Sequence, residues 1–535
     1  MAWLFYALYG ATLCVISCIV TTWWGTGASG SGVAEIIGYV NGVNYPDCIG
    51  VKTVITKMFG VVLAVAGGLT VGKEGPLAHI GGNLGAMTAY LPGLAFMRND
   101  WRKREYVAAG ASAGVSIAFG APIGGALFLY ELSRGNPFWT FPLLWKVFLT
   151  CATAVFTLGV ADALLHGKPI DWSESALKFG AAPSDLKTPT ILLPGAIVLG
   201  IVSGLLGPFF ININTRVNGL RAKLYPSKWQ KPLDCFIFAF LTASCFYWVP
   251  NNFATCIPRP DHLDEKLDTV FDRMEDMTTS RAWCSSKDEY NPLATIFWKT
   301  EGGVIKQFLG TPMACTPEQM MLFTGVWYFW TITTYGVNVP SGLFLPGMII
   351  GCGLGDLYIH FLLHLQKQGN INIGVEHTEQ FRSTYIVLAM GAMLAGYTRM
   401  TYSIIVIVME TSQSINIFLP TAIAVGIANF TGDLFTRGLY DRAVRAKQMP
   451  ILTDQVALSC RYVRAEQMMS TNILTLNVVD SVENIYAALK SSHHGFPVLN
   501  SKQRVVGLIP KNYLWILIFN KAFYDKKMPA NPNRI

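Results

Sequence analysis

The sequence predicts an all-α polytopic membrane protein with broken helices, followed by a small α/β segment. Only 14% of the 535 residues are charged, whereas a soluble domain carries about 25%, so the chain lacks the polar surface that water requires. The mean hydropathy is +0.37, which also favours a lipid environment. Gly (50 residues) and Trp (14 residues) are abundant, as expected where helices pack closely and rings lie at the lipid interface.

Apolar stretches recur before residue 450 and predict the membrane helices. A full span needs about 20 apolar residues, but several stretches are shorter or are broken by Gly and Pro, as in GAPIGG (120–125) and NVPSGLFLPG (338–347). Such breaks are tolerated at membrane depth where the backbone faces protein or a water-filled cavity, which is typical of transporters that bind ions at the midplane. The stretches are 1–24, 53–71, 105–133, 139–165, 190–213, 232–249, 320–335, 343–364, 384–395, 402–409 and 416–430.

The charged residues between these stretches give no nucleic-acid signal, although the net charge is +8. Lys and Arg are scattered, and the cluster WRKRE (101–105) is typical of a membrane-flanking loop. The stretch 251–303 is polar and acidic and predicts a soluble excursion. Cys256 and Cys284 lie in it; they could pair if this loop faces an oxidising lumen, and otherwise stay free.

The composition changes after residue 450, which predicts a transmembrane domain at 1–450 and a cytosolic α/β region at 451–535. The helix SVENIYAALKSS is followed by GFPVL, the turn NSKQ, RVVGLI and a second helix. Four basic residues precede this region and fit the positive-inside bias, which places it in the cytosol. They are Arg437, Arg442, Arg445 and Lys447.

Three Gly-rich junctions free the backbone where a helix is predicted to begin: GSGVAE (30–35), GKEGP (72–76) and GLFLP (342–346). A helix start exposes unpaired N–H groups and about half a positive charge. Three such starts aimed at one point would form an anion site that needs no fixed cation. A fixed cation would hold an anion too tightly to release it. One Gly-rich break is common in membrane proteins, but three in one chain favour a site.

The second junction, GGLTVGKEGP (67–76), matches a phosphate-binding loop except that Glu74 stands where Ser or Thr should follow Lys73. The preceding residues predict a membrane helix and not a strand, which excludes a nucleotide site of that kind. An intramembrane carboxylate is a functional candidate. Ionised, Glu74 could occupy the anion site itself, and protonated it would leave; the alternative is a carboxylate held permanently by Lys73.

These junctions and the late segment GLYD (438–441) resemble the four signature segments of the CLC family of chloride channels and chloride/proton exchangers, in the family's order. The resemblance covers nearly the whole chain and implies an inverted-repeat helical architecture with broken helices. It is closest to the intracellular, lysosomal and late-endosomal eukaryotic branch. The segments with that character are GGLTVGKEGP, GAPIGGALF, YGVNVPSGLFLPG and RMTYSIIVIVMETS.

The resemblance also implies the roles of individual residues. Ser31 would supply a hydroxyl to the central chloride site and Tyr440 a phenol, while Glu74 would be the gating glutamate and proton acceptor. A serine at the position of Ser31 goes with chloride, where proline goes with nitrate. Without the resemblance, Ser31 is equally well a helix cap and Tyr440 an interfacial anchor. Backbone N–H groups would come from Gly32, Val33, Leu343 and Phe344.

Two positions depart from the family pattern. Ala34 replaces a proline that presets the first helical turn, which softens the expected site geometry. Leu132 stands at the inner proton-relay position, where exchangers usually carry a second glutamate after Glu131. Because leucine cannot accept a proton, the sequence favours channel-like or weakly coupled chloride conduction, and coupled chloride/proton exchange in an acidic organelle is the alternative. Glu131 is interpreted as a structural carboxylate.

The ends of the chain differ from the family as well. The opening family helices are expected to be missing, and the C-terminal region carries one CBS-like motif, SSHHGFPVLNSKQRVVGLI, where two normally pair. Nucleotide regulation is therefore not expected. His493 and His494 lack a further ligand at metal spacing, so neither a metal nor another cofactor is predicted.

The resemblance finally implies a homodimer in an endolysosomal or vacuolar membrane, with lipid and chloride as partners, protons as a further partner in the exchange alternative, and no nucleic acid. The chain is not expected to be an enzyme. A more distant alternative is a sodium-coupled solute transporter, which would need a carboxylate-rich cation site that the junctions do not provide.

Overall fold

Helices form nearly all of the secondary structure up to residue 446 in the computed structural model. The structure describes residues 1–45, 47–94, 98–133, 139–166, 192–253, 255–258, 282–286, 289–310, 315–368, 378–412, 414–451, 460, 462–469, 471, 473–491 and 493–520. Most of the acidic stretch RPDHLDEKLDTVFDRMEDM and residues 452–459 and 521–535 of the predicted cytosolic region lie outside these ranges.

The chain divides into two compact units, Met1–Asp454 and Gln455–Ile535. The helices of the first half of the larger unit differ in length, and the last of them is the longest. Its helices are α1 (Ala2–Trp23), a 3₁₀ turn (Thr26–Ala28), α2 (Val33–Val40), α3 (Val51–Ala66), α4 (Glu74–Thr88), α5 (Asp100–Phe119), α6 (Pro122–Leu132) and α7 (Phe141–His166).

The second half of this unit again mixes long and short helices. They are α8 (Leu193–Leu224), α9 (Lys231–Asn252), α10 (Pro292–Trp298), α11 (Glu301–Gly310), α12 (Pro317–Thr334), α13 (Phe344–Lys367), α14 (Thr378–Thr398), α15 (Tyr402–Ser412), α16 (Phe418–Asp433) and α17 (Leu439–Ala446).

Five helices of the described chain, α1, α7, α8, α9 and α13, are long and apolar enough to cross a membrane. The apolar helices α6 and α15 have 11 residues each, which corresponds to about 16 Å, roughly half of a bilayer core. Helices pack at backbone contact where glycines meet. A Cβ on Gly81 of α4 would lie 2.2 Å from the carbonyl oxygen of Gly110 of α5.

The C-terminal part of the stretch 251–303, predicted as a soluble excursion, contains the short helix α10. Residues 292–297 of α10 are all buried, and the Asn291 side chain caps the helix by accepting a hydrogen bond from the Ala294 N–H at 3.0 Å. This seven-residue helix was missed because it is too short for a hydropathy pattern. Cys256 and Cys284 form a disulfide with their Cα atoms 5.8 Å apart, beside the antiparallel strands β1 (Ile257–Pro258) and β2 (Glu289–Tyr290).

The C-terminal unit is a small α/β arrangement. Its elements are α18 (Ala465–Met468), β3 (Leu476–Asn477), α19 (Val482–Lys490), β4 (Gly495–Leu499), β5 (Val505–Pro510) and α20 (Lys511–Phe519). β4 pairs with β3 in parallel and with β5 in antiparallel orientation, so the predicted order of helix, strand, turn, strand and helix is observed. A small core packs the helices on the sheet through Leu476, Ala488, Leu489, Phe496 and Leu514.

Candidate functional site

The three Gly-rich junctions meet in the middle of the larger unit. Gly72 and Gly342 exchange both backbone hydrogen bonds: the Gly72 N–H donates to the Gly342 carbonyl at 2.9 Å, and the reverse bond is 2.7 Å. The Gly30 N–H donates to the Val339 carbonyl at 3.0 Å, and the Ser341 N–H donates to the Gly30 carbonyl at 3.2 Å. Segments far apart in sequence are therefore joined edge to edge where α2, α4 and α13 begin.

Glycine is required at these junctions because the chains approach so closely. A Cβ on Gly75 would lie 2.8 Å from the Ser31 Cβ, and a Cβ on Gly342 would lie 2.8 Å from the Gly72 carbonyl oxygen. Gly32 has φ +80°, a left-handed conformation that favours glycine. The junctions thus form one tightly packed unit of backbone.

The predicted chloride-binding amides lie at two of the helix starts. α2 begins at Val33 after Gly32, and α13 begins at Phe344 after Leu343. Val33, Leu343 and Phe344 are buried. α2 forms although Ala34 replaces the expected proline, so that substitution does not prevent the helical turn. The N–H groups of such first turns have no partners within their own helix and can donate to an anion.

Ser31 lies at the first junction and is half-buried. Its Oγ accepts a long hydrogen bond of 3.4 Å from the Val33 N–H, which is the contact of a helix cap. The Tyr335 side chain also hydrogen-bonds to Ser31. The structure therefore contains the cap geometry that the sequence offered as the alternative to an anion ligand.

Glu74 is the first residue of α4 and is 1% exposed. Its Oε2 lies 3.4 Å from the Leu345 N–H of the third junction, while its buried Oε1 has no hydrogen-bond partner within the described chain. Lys73, the proposed permanent partner, is exposed, and the ion pairs of the described residues do not include it. The carboxylate thus lies at a helix start with little to hold it.

Tyr440 is in the first turn of α17 and is 4% exposed. It lies within electrostatic range of Glu74 and of two further tyrosines, Tyr335 and Tyr397. The Tyr397 hydroxyl donates a hydrogen bond to the Leu343 carbonyl at 2.9 Å. This contact fixes the start of α13.

Tyr335 and Tyr397 are not among the residues predicted from the sequence. Tyr335 could have been noticed because it precedes the third junction in YGVNVPSGLFLPG. Tyr397 carries no local signal, since it lies at the end of the apolar α14. Tyr397 and Tyr440 are buried and lie within electrostatic range of Glu74, a grouping that emerges only when these distant helices come together.

Glu131 and Leu132 are the last two residues of α6, which packs against α15. The Glu131 carboxylate accepts hydrogen bonds from the Thr401 N–H and Oγ1, both at 2.7 Å, from the Ser403 N–H at 3.0 Å, and from the Ser403 hydroxyl. Leu132 is partly buried and packs on the main hydrophobic core. Glu131 therefore has the contacts of a structural carboxylate, and Leu132 those of an ordinary apolar residue.

A family model described as "Voltage gated chloride channel" matches residues 13–433, which include the first three junctions. The chain belongs to the voltage-gated chloride channel family. This confirms the predicted family. The family is named for ion channels, and this family assignment agrees with the prediction that the chain is not an enzyme.

Similar proteins include both exchangers and channels by name. "H(+)/Cl(-) exchange transporter 7" of Mus musculus is 30% identical over 98% of this chain and 65% of its own length. "Chloride channel protein CLC-d" of Arabidopsis thaliana is 30% identical over 99% of this chain and 68% of its own length. The chain thus spans about two-thirds of the length of these relatives.

Solved structures show the same fold. A eukaryotic CLC transporter superposes with TM-score 0.67 at 20% identity, covering 98% of this chain and 82% of that chain. A slow cyanobacterial Cl⁻/H⁺ antiporter gives TM-score 0.64 at 18% identity, with 84% and 88% covered. The predicted class, a CLC-type helical membrane protein with a small α/β segment, is confirmed.

Proposed function

We propose that this chain transports chloride across a membrane and that Glu74 gates the pathway. The observation that carries the proposal is the backbone pairing of Gly72 with Gly342 and of Gly30 with the 339–341 segment. That pairing brings the starts of α2, α4 and α13 together, and Tyr440 adds a fourth helix start nearby. Convergent N–H dipoles stabilise a halide without the strong binding of a fixed cation.

In this proposal chloride is bound by Ser31, Tyr440 and the N–H groups of Gly32, Val33, Leu343 and Phe344. Glu74 competes with the anion for the remaining N–H groups. Its one long hydrogen bond and its unpartnered oxygen support that role, because a carboxylate with few contacts can leave at small cost. When protonated, the side chain loses its attraction to the helix start and opens the pathway.

Channel-like or weakly coupled conduction is our preferred form of this transport. The support is Leu132, since a proton that reaches Glu74 finds no carboxylic acid at this inner position. Coupled chloride/proton exchange is the second candidate, favoured by the relative named as an exchange transporter. Under that alternative another group or water would carry the inner proton.

Flux from liposomes with simultaneous chloride and pH recording tests the proposal. The purified full chain is expected to release chloride when the membrane potential is clamped with valinomycin, with little accompanying proton movement. Stoichiometric proton uptake opposite to chloride would establish exchange instead. Absence of chloride flux from correctly folded protein would overturn the proposed function, and sodium-dependent solute flux would replace it.

Glu74→Gln tests the gate, with Lys73→Met as the matched control. The amide cannot ionise, so chloride flux is expected to persist and to lose the pH dependence that the Glu74 carboxyl confers. Lys73→Met should keep the pH dependence, because Lys73 is exposed. If Lys73→Met removes it and Glu74→Gln does not, Glu74 is held by Lys73 and is not the gate.

Leu132→Glu tests the coupling, with Leu132→Gln as an uncharged control of the same length. Restoring a carboxyl at the inner position is expected to increase proton movement against the chloride gradient, and the glutamine variant should not. Equal proton movement in the wild type and both variants would show that position 132 does not determine coupling.

We also propose that the protein is a homodimer in an endolysosomal or vacuolar membrane, with residues 451–535 in the cytosol. The disulfide between Cys256 and Cys284 supports a non-cytosolic position for their loop. Protease protection of intact organelles tests the orientation, because a tag after residue 535 should be digested and a tag near Cys284 protected. Light scattering of the purified protein tests the dimer.

A further inference from the structure

Lys57 of α3 and His79 of α4 form a buried pair beside the first junction. The Lys57 Nζ lies 2.8 Å from the His79 Nδ1, and the two residues are 1% and 0% exposed. No sequence motif pointed to them, and the site described above does not use them. An ionisable residue inside a membrane domain is nevertheless a functional candidate.

The hydrogen bonds fix the protonation of this pair. The His79 Nε2 lies 3.0 Å from the Cys48 carbonyl oxygen, and a carbonyl only accepts, so Nε2 carries the proton. Nδ1 must then accept, and the Lys57 ammonium donates to it. His79 is a neutral ring clamped between α3 and the segment that follows α2.

Lys57 has no carboxylate partner among the ion pairs of the described residues. Glu35, whose charge reaches Lys57, pairs instead with the Lys447 Nζ. Burying an ammonium group without an anionic partner is costly. A lysine placed at such a cost is a candidate for a role other than stability.

The His79 ring presses on the backbone of the first junction. A Cβ added to Gly32 would lie 2.2 Å from Nδ1, 2.4 Å from Cγ and 2.6 Å from Cβ of His79. The ring thus fills the space beside the Gly32 Cα, and Gly32 is held between it and the rest of the junction. Any movement of His79 changes the support of the Gly32 and Val33 amides.

We propose that Lys57 and His79 are positioning residues that hold the Gly32 and Val33 amides and thereby set the anion selectivity of the pathway. This inference rests on the proposed function. Lys57 orients the ring through Nδ1, the Cys48 carbonyl orients it through Nε2, and the ring supports Gly32. With that support the amides remain at the spacing that suits chloride; without it they relax and accept larger anions such as nitrate.

The test compares nitrate and chloride flux in liposomes for His79→Ala, Lys57→Met and the control Asn83→Ala. Asn83 lies one turn after His79 on the same helix, is 1% exposed, and accepts a hydrogen bond from the Gly50 N–H at 2.8 Å. It ties α4 to the start of α3, and its side-chain amide donates to the His79 carbonyl at 2.8 Å, a backbone contact that does not involve the His79 ring. It therefore reports what the loss of an ordinary buried anchor does.

Both pair variants are expected to raise the ratio of nitrate to chloride flux about threefold or more, since sub-ångström displacement of a positioned group changes rates by large factors. Asn83→Ala should leave the ratio unchanged. Lys57→Met should also unfold at the same or a higher temperature than the wild type, because a buried charge is removed. A lysine with only a structural role would not show both this preserved stability and an altered selectivity. His79→Asn keeps an acceptor for Lys57 and should restore part of the selectivity.

Wild-type ratios in folded His79→Ala and Lys57→Met would overturn the inference while leaving the proposed function standing. An equal change in Asn83→Ala would also overturn it, since the effect would then be general loosening. If His79→Ala does not fold, Lys57→Met against Asn83→Ala gives the comparison. Absence of flux in the wild type overturns both proposals.

Discussion

Carboxylates lie at the starts of helices in two regions of this protein, and they are held very differently. At the α6–α15 contact, Glu131 near the end of α6 caps the start of α15 with four hydrogen bonds. Glu410, near the end of α15, accepts from the Ile123 and Gly124 N–H groups at the start of α6, at 3.2 and 2.8 Å. The two helices therefore run antiparallel and cap each other.

Glu74 lies at a helix start with one hydrogen bond of 3.4 Å. The attraction between a carboxylate and a helix dipole is the same in both regions. What differs is the number of additional donors, because hydroxyls and amides saturate Glu131 and leave Glu74 with a free oxygen. The fold thus uses the same interaction with many donors at α6–α15 and with few donors at the junctions.

Removing the saturated carboxylate is expected to have the largest effect. Glu131→Ala leaves two buried amides and two hydroxyls without their acceptor, and each unsatisfied group costs about 1–3 kcal/mol. A loss of about 4–6 kcal/mol is comparable to the whole stability of many proteins. The variant should yield little monodisperse protein after extraction, measured by size-exclusion chromatography and thermal unfolding.

Glu131→Gln serves as its control, because the amide retains one accepting oxygen and should recover part of the stability. A folded Glu131→Ala protein with unchanged unfolding temperature would contradict the structural role. If proton movement changed in that protein, Glu131 would be a displaced relay after all.

Glu410→Ala is expected to have an intermediate effect. It frees two amides where Glu131→Ala frees four donors, and Glu410 is the more exposed of the two carboxylates. We expect a loss of about 2–3 kcal/mol from two unsatisfied groups, measured as a lower unfolding temperature with chloride selectivity unchanged. A loss of stability as large as that of Glu131→Ala would mean that removing either carboxylate disrupts the whole contact between α6 and α15.

Glu74→Gln is expected to change stability by less than about 1 kcal/mol, since a single long hydrogen bond is at stake. A small loss of stability together with altered gating would show that Glu74 is held weakly, in contrast to Glu131. Thermal unfolding measured beside the liposome assay checks it. A destabilisation that matched Glu131→Gln would show that Glu74 is also a structural cap.

Replacing Asp480 is expected to have the smallest effect on stability. Asp480 lies in the C-terminal unit and is a reference for a helix-start carboxylate outside the larger unit. Slight burial acts to raise the pKa of Asp480, but hydrogen bonds from the Asn477 N–H, the Asn484 side chain and the Ser481 N–H outweigh it and lower the pKa below the ordinary value. The carboxylate therefore stabilises the start of α19 above about pH 4, the unfolded pKa, and this contribution is lost as the pH falls through the lower folded pKa.

Amide hydrogen exchange of Asn477 and Ser481 in the full chain measures this effect, because these two backbone N–H groups donate to the Asp480 carboxylate. Asp480→Ala should accelerate exchange at these amides by a few fold at about neutral pH, in line with the small energies of exposed charges. The acceleration should shrink as the pH is lowered below about 4. Equal protection of these amides in the variant and in the wild type would show that the Asp480 carboxylate does not stabilise the start of α19.

Much of this architecture could be predicted because glycine, proline and apolar runs act locally. Gly72 and Pro76 around Glu74 indicated a helix start, and α4 begins at Glu74. The order of elements in the C-terminal unit followed from the same local signals. Family resemblance then gave the residue roles at the junctions, and these remain predictions.

The remainder depended on contacts between distant segments. The joint of Glu131 with Thr401 and Ser403 has no local signature, because each partner is an ordinary residue of an apolar helix. Tyr397 and His79 were missed for the same reason. The short helices α2 and α17, with eight residues each, and the buried α10 fall below the length that a hydropathy pattern needs.

The pairing of Gly72 with Gly342 also has a consequence for biosynthesis. The second junction leaves the ribosome long before the third, so the early half of the chain is inserted while its partner strand does not yet exist. The contact between the second and third junctions can form only after residues near 346 have been synthesised. A prematurely terminated chain that ends before Gly342 therefore lacks this backbone pairing.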